Sequence, residues 1–169
     1  FNITQPLNQT YTSVQTAFGH GSSDTNLDNC WYSLDGGSMN TTISPCGLSP
    51  SGLDSGQGSS TWTAYANDSA GNENSSLVTF FVDSISPNVT INVPEAKTYT
   101  TSSFDFNVSL SENGSVEFSL DDGETNYTMT STDNQNFNYS TSLSDGTYSF
   151  QVYANDTLGN TNHTENVTF

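Results

Sequence analysis

The chain has almost no basic charge: among 169 residues Lys97 is the single Lys or Arg, against 18 acidic residues. Charged residues are only 11% of the total, so the net charge of −17 comes from missing cations more than from abundant acid. Without a basic patch to neutralise phosphates, nucleic acid is excluded as a partner class. No apolar run nears the roughly 20 residues of a spanning helix, so direct membrane insertion of this segment is not expected. Histidine is scarce too. His20 and His163 lie far apart in polar stretches, and the acidic pair Asp121 and Asp122 lies in a predicted turn without a neighbouring apolar pocket to raise a pKa, so the chain is expected not to be an enzyme. Isopeptide cross-links need a buried Lys, and the half of the chain without Lys97 cannot form one that way. No leader-like segment opens the chain at Phe1, which reads as a processed chain or a piece of a longer one.

What is present is mostly hydroxyl and amide: 27 Ser, 24 Thr and 20 Asn. The same text also occurs twice. YANDSAGN at 65–72 returns as YANDTLGN at 153–160, and PLNQTYT at 6–12 returns as PEAKTYT at 94–100. A period of this length predicts two copies of one small domain, bounded at 1–83 and 84–169. In the second copy, alternating runs at 88–93, 103–110, 115–120, 126–130, 136–140, 147–154 and 164–169 predict half-buried strands. Phe104, Phe106, Val108 and Leu110 share one parity, as do Tyr148, Phe150, Val152 and Ala154. Turn chemistry separates the runs at 112–114, 121–123, 144–146 and 158–160. Short strands without a helical period predict an all-β fold of two tandem immunoglobulin-like β-sandwich domains. LSDGTY at 143–148 fits the tyrosine corner of such sandwiches, with Tyr148 bonding nearby backbone; the first copy has Ser60 there, beside Trp62, Ala64 and Ala66 on the core parity.

The PxNxTYT opening, WYSLDGG at 31–37 and YANDSAGN ahead of VTFFVD resemble the tandem Ig-like repeats of archaeal and bacterial cell-surface, S-layer and filament proteins. The resemblance spans the whole chain and implies a sandwich fold and an extracellular, cell-surface setting. It leaves the molecular role open, because such repeats serve as stalks, adhesins and filament subunits alike.

Thirteen Asn-X-Ser/Thr sequons stand at Asn2, Asn8, Asn40, Asn67, Asn74, Asn88, Asn107, Asn113, Asn126, Asn138, Asn155, Asn162 and Asn166. Chance at this composition would give about six, so covalent N-glycans are expected. Cys30 and Cys46, an even pair in an extracellular context, are expected to form a disulfide. No metal site is read. Asp68 with Asn72, Asp156 with Asn160, and Asp121–Asp122 with Glu124 offer hard oxygen ligands for weak calcium, but tight turns call for the same residues. Trp31, Tyr32 and Trp62 could make a sugar platform, although their alternation assigns them to the core. No other cofactor is expected. The function read is a non-catalytic extracellular structural protein, a glycosylated filament or stalk subunit. Its expected partners are other copies of itself, joined head-to-tail by donation of a terminal strand from FNITQPLNQTYT or TNHTENVTF. The alternative is an adhesin recognising a glycan or protein, with the Gly/Ser-rich stretch at 47–60 as its special loop.

Overall fold

The computed structural model describes residues 2–169 and divides into two compact units, the first ending at Ser84 and the second running Ile85–Phe169. That division falls one residue beyond the boundary read from the repeat. All regular structure is β, and no helix occurs among the described residues.

The first unit contains β1 (Asn2–Gln5), β2 (Thr10–Tyr11), β3 (Gly19–Gly21), β4 (Leu27–Ser33), β5 (Thr41–Ile43), β6 (Gly58–Asp68) and β7 (Glu73–Val82). Five of them form a sheet in the order β2-β7-β6-β4-β5, and β1 pairs with β3. The alternation in β7 sets its faces: Val78, Phe80 and Val82 are buried while Leu77, Thr79 and Phe81 are exposed. Trp62 and Ala64 of β6 join them, with Phe18 from outside the strands closing the core. Phe18 stacks on Tyr32 at 5.7 Å, and Trp62 meets Phe80 edge-on at 5.2 Å. Small Ala64 and Ala66 beside large Trp62 leave this core compact but split, since Cys30, Ile43 and Ala66 form a separate cluster. A disulfide joins Cys30 to Cys46 at that cluster, with Cα atoms 5.2 Å apart.

The second unit contains β8 (Val89–Val93), β9 (Ser103–Leu110), β10 (Gly114–Ser119), β11 (Tyr127–Thr128), β12 (Thr130–Ser131), β13 (Asn136–Ser142), β14 (Ser149–Asp156), β15 (Thr161–Asn162) and β16 (Asn166–Thr168). One sheet runs β11-β10-β14-β15 with β16 also on β14; the other runs β12-β13-β9-β8. Their inner faces supply one continuous core of Phe104, Phe106, Val108, Leu110, Val116, Phe118, Met129, Phe137, Phe150, Val152 and Ala154. Phe106 stacks on Phe150 at 4.7 Å, and Phe118 lies 5.1 Å from each.

The single strand expected at 126–130 is two. Tyr127–Thr128 pairs with β10 in one sheet, and Thr130–Ser131 pairs with β13 in the other. Met129, buried between them, donates its N–H to the Val116 carbonyl and turns the chain from sheet to sheet. The tyrosine corner is formed: Tyr148 Oη donates to the Ser144 carbonyl at 3.0 Å. In the first unit Ser60 Oγ donates to the Ser55 carbonyl at 2.6 Å, so a short hydroxyl makes the same kind of backbone bond at the same corner.

Candidate functional site

The sequon asparagines lie on the outward faces of both units. Ten are exposed, and Asn67, Asn107 and Asn162 are half-buried. Strand alternation explains much of this: Asn138 falls between core-facing Phe137 and half-buried Tyr139 on β13, and Asn107 between Phe106 and Val108 on β9. The amide that would carry a sugar is already engaged at some of them. Asn162 Nδ2 donates to the Pro87 carbonyl at 3.0 Å, and Asn107 Nδ2 to the Asp105 carbonyl at 3.2 Å.

The Asp-rich turns use their carboxylates internally. Asp68 Oδ1 accepts the N–H groups of Ala70 and Asn72 at 2.9 and 2.8 Å, while Oδ2 accepts Asn72 Nδ2 at 2.7 Å. Asp156 repeats the pattern with Leu158 and Asn160 at 2.8, 2.9 and 2.7 Å. Asp133 does the same with Gln135 and Asn136. The bond from the Asn72 side chain pulls the Asp68 pKa down. At Asp156 burial opposes, but bonds from Asn160 prevail and the pKa is lowered. The Asn136 side chain, then its N–H, hold Asp133 well below the usual carboxylate range. These oxygens stabilise their own turns, so a calcium ion at Asp68 and Asn72 or at Asp156 and Asn160 would have to displace donors already in place.

A second repeated constellation escaped the sequence reading. Ser33, Asp35 and Gly37 recur as Ser119, Asp121 and Gly123. Ser33 Oγ donates to Asp35 and accepts from the Gly37 N–H at 2.8 Å, while Asp35 accepts the Met39 N–H at 3.0 Å. Ser119, Asp121, Gly123 and Thr125 reproduce each bond. The serine bond, then the N–H of Met39 or Thr125, lowers both aspartate pKa values. Gly37 and Gly123 have φ of 106° and 92°, and a Cβ on either would come 3.0 Å from the Tyr65 or Tyr153 hydroxyl. The signal was visible as SLDGG at 33–37 and SLDDG at 119–123. Asp121 is thereby a turn carboxylate, and neighbouring Asp122 supplies the positive φ of 56°.

His20, His163 and Lys97 each have partners of their own. His20 Nε2 lies 2.8 Å from the Leu48 carbonyl, and His163 packs edge-on against Tyr153 at 5.2 Å. Lys97 is exposed and pairs with Glu95 at 3.0 Å. The aromatics do not all follow the core assignment. Trp62 is fully buried, but Trp31 is half-buried, belongs to no core cluster, and stacks on its cross-strand neighbour Tyr65 at 5.5 Å with rings 6° from parallel. The Gly/Ser-rich stretch is no free loop either. Phe18 N–H donates to the Pro50 carbonyl and Leu53 N–H to the Thr16 carbonyl, Ala17 bridges Ser51, and Leu53 packs on the core. It behaves as an irregular edge strand.

A family model described as a bacterial Ig-like domain matches residues 93–169. The N-terminal eight Ig domains of Down syndrome cell adhesion molecule superpose with a TM-score of 0.61 at 14% identity, covering 99% of this chain and 26% of that one. The fold is all-β, two immunoglobulin-like β-sandwiches in tandem. The fibronectin(III)-like modules of Clostridium thermocellum CbhA are also similar, with a TM-score of 0.44 at 16% identity over 98% of this chain and 90% of theirs. Murine CEACAM1b follows at 0.43 and 9% identity, over 92% and 91%. At such identities the likeness is one of fold alone. No curated protein sequence matches the chain.

Proposed function

We propose that this pair of Ig-like domains is a non-catalytic, N-glycosylated structural segment of an extracellular surface stalk or filament. The observation that carries this reading is the outward placement of all thirteen sequon asparagines, none of them buried. An acceptor amide must be reachable to take a sugar. The Cys30–Cys46 disulfide supports an oxidising, extracellular compartment. The turn carboxylates, tied into their own loops, act as structural groups in this reading.

Association with further copies of the chain belongs to the proposal, but terminal-strand donation takes a specific form. β1 is already laddered to β3, and β16 to β14, within their own units; Phe1 lies outside the described residues. Donation of β1 would therefore exchange one ladder for an equal one, as in a domain swap, instead of satisfying a free edge. Intact-mass measurement before and after deglycosylation, combined with negative-stain imaging, tests the proposal. Several hexose-scale mass losses and end-to-end particles are expected. An unmodified mass together with isolated particles would sink it.

The adhesin alternative rests on one observation, the outward Trp31–Tyr65 pair, whose ring surface could stack on a sugar. Titration with soluble oligosaccharides, followed by Trp fluorescence in the parent and in Tyr65→Ala, separates the two readings.

A further inference from the structure

The edge of a sheet offers unpaired backbone N–H and C=O groups to any passing strand, and natural edges are guarded by lysine and other charges or by proline within the strand. This chain has one cation, Lys97, and it lies outside every strand. Three edges are unguarded in that sense. β5 and β11 end their sheets beside β4 and β10, and β8 ends its sheet beside β9. None of the three contains a charged residue or a proline. β8 is the most vulnerable, because VTINV is uncharged and rich in β-branched residues. Its register shift lies between Ile91 and Val93, so Val89–Ile91 stays regular.

Each of these strands starts directly after a sequon asparagine: Asn40 before Thr41–Ile43, Asn88 before Val89–Val93, and Asn126 before Tyr127–Thr128. All three asparagines are exposed. Among the described residues no hydrogen bond holds their side-chain amides, in contrast to those of Asn107 and Asn162. The placement at β5 recurs at β11, delivered in both units by the Ser-Asp-Gly loop. Asp35 accepts the Met39 N–H at 3.0 Å and Asp121 the Thr125 N–H at 2.8 Å. The residue preceding Asn40 and the one preceding Asn126 are thereby pinned, which sets each asparagine at the mouth of an edge.

We propose, on the reading of these sequons as N-glycosylated, that sugars on Asn40, Asn88 and Asn126 cover the free edges of β5, β8 and β11 and block lateral strand pairing between copies of the chain. The glycans do what lysine does at other edges. β8, with 5 residues, is about 17 Å long, a span that a glycan of a few sugars rooted beside its first residue sweeps. An approaching strand would have to displace a bulky, hydrated group before reaching the backbone. Sequons on central strands have another position. Asn138 on β13 and Asn155 on β14 have a paired strand on either side, so a sugar there stands over a sheet face and covers no edge. Contacts between copies that do not use the three edges stay available.

The test compares chains made in the native host, with sugar occupancy read by glycopeptide mapping and association by sedimentation velocity. One variant carries Asn40→Gln, Asn88→Gln and Asn126→Gln. A second carries Thr42→Ala, Thr90→Ala and Thr128→Ala, which abolish the same three sequons and keep each Asn. The control carries Asn138→Gln and Asn155→Gln. Both edge variants should self-associate at roughly tenfold lower concentration than the parent, the gain expected from about one backbone hydrogen bond at an opened edge. Amide exchange should slow in β5, β8 or β11 as they associate, and the control should sediment as the parent does. Parent-like sedimentation of either edge variant overturns the proposal, and so does association of the control at the same concentration. Association of both edge variants with faster exchange throughout a unit is misfolding and overturns it too. Sugar on other sequons with Asn40, Asn88 and Asn126 bare overturns this proposal and leaves the glycosylation reading standing; a chain without sugar at any sequon overturns both.

Discussion

Reduction of the Cys30–Cys46 bridge should destabilise the first unit and spare the second. The two cysteines are 16 residues apart in sequence. Opening a loop of that length restores unfolded-state entropy equivalent to about 3 kcal/mol in the chain-entropy model. A unit that ends at Ser84 gains about 0.18 kcal/mol/K of unfolding entropy at its midpoint, so the loss corresponds to a fall in Tm of roughly 15 °C. The first unit is the one that needs the bridge, because its buried core is divided into two clusters while the second unit has one. Both tryptophans, Trp31 and Trp62, lie in the first unit, so Trp fluorescence follows it alone, and scanning calorimetry captures both transitions. The measurement compares melts with and without a phosphine reductant, alongside the double variant Cys30→Ala, Cys46→Ala. Ala is the replacement because a Ser hydroxyl at fully buried Cys30 would lose its hydrogen-bond partners. An unmoved Trp-reported transition, or an equal fall in the second transition, would refute the reasoning.

Four further outcomes follow from the geometry. Tyr148→Phe and Ser60→Ala each remove one corner bond and should each cost about 1 kcal/mol, the first in the second unit and the second in the first, read by chemical denaturation. Gly37→Ala and Gly123→Ala place a Cβ at strongly positive φ against a tyrosine hydroxyl, so each should lower the Tm of its own unit where an exposed Ser→Ala control does not. Asp35, Asp68, Asp121, Asp133 and Asp156 all have lowered folded-state pKa values. Their contribution is complete above the ordinary carboxylate pKa near 4 and is lost as pH falls through the lowered folded values, so Tm should drop between about pH 4 and pH 2; a Tm that climbed through that window would mean relief of the −17 charge outweighs the turns. In glycopeptide mapping of native material, exposed Asn126 and Asn138 should carry sugar while half-buried Asn162, its amide held by Pro87, stays bare; occupied Asn162 would contradict the accessibility argument.

Strand positions and their inward faces were legible because period-two alternation is local. Phe104, Phe106, Val108 and Leu110 were assigned to the core from parity, and all four are buried. Tyr148 was legible as a corner from the LSDGTY text, and its hydroxyl makes the backbone bond. Ser60 was not, because a serine beside glycines carries no pattern that separates a corner bond from solvation. Alternation assigns Trp31 to the core, but the flanking Cys30 takes the core position on β4 and the Trp31 ring is covered by Tyr65 across the ladder. The stretch at 47–60 was read as a loop from composition, but polar residues with free backbone groups can still bond an edge, here residues 16–18.

The amino-acid order by itself determined that the chain is two copies of a polar, sulfur-poor β domain with outward sequons. Those properties rest on alternation, turn residues and counting, which need no partner from elsewhere in the chain. Tertiary structure alone decided that the Asn162 amide is held by the Pro87 carbonyl and that Met129 carries the chain between sheets. Both depend on groups that meet only when segments distant in sequence are laid side by side.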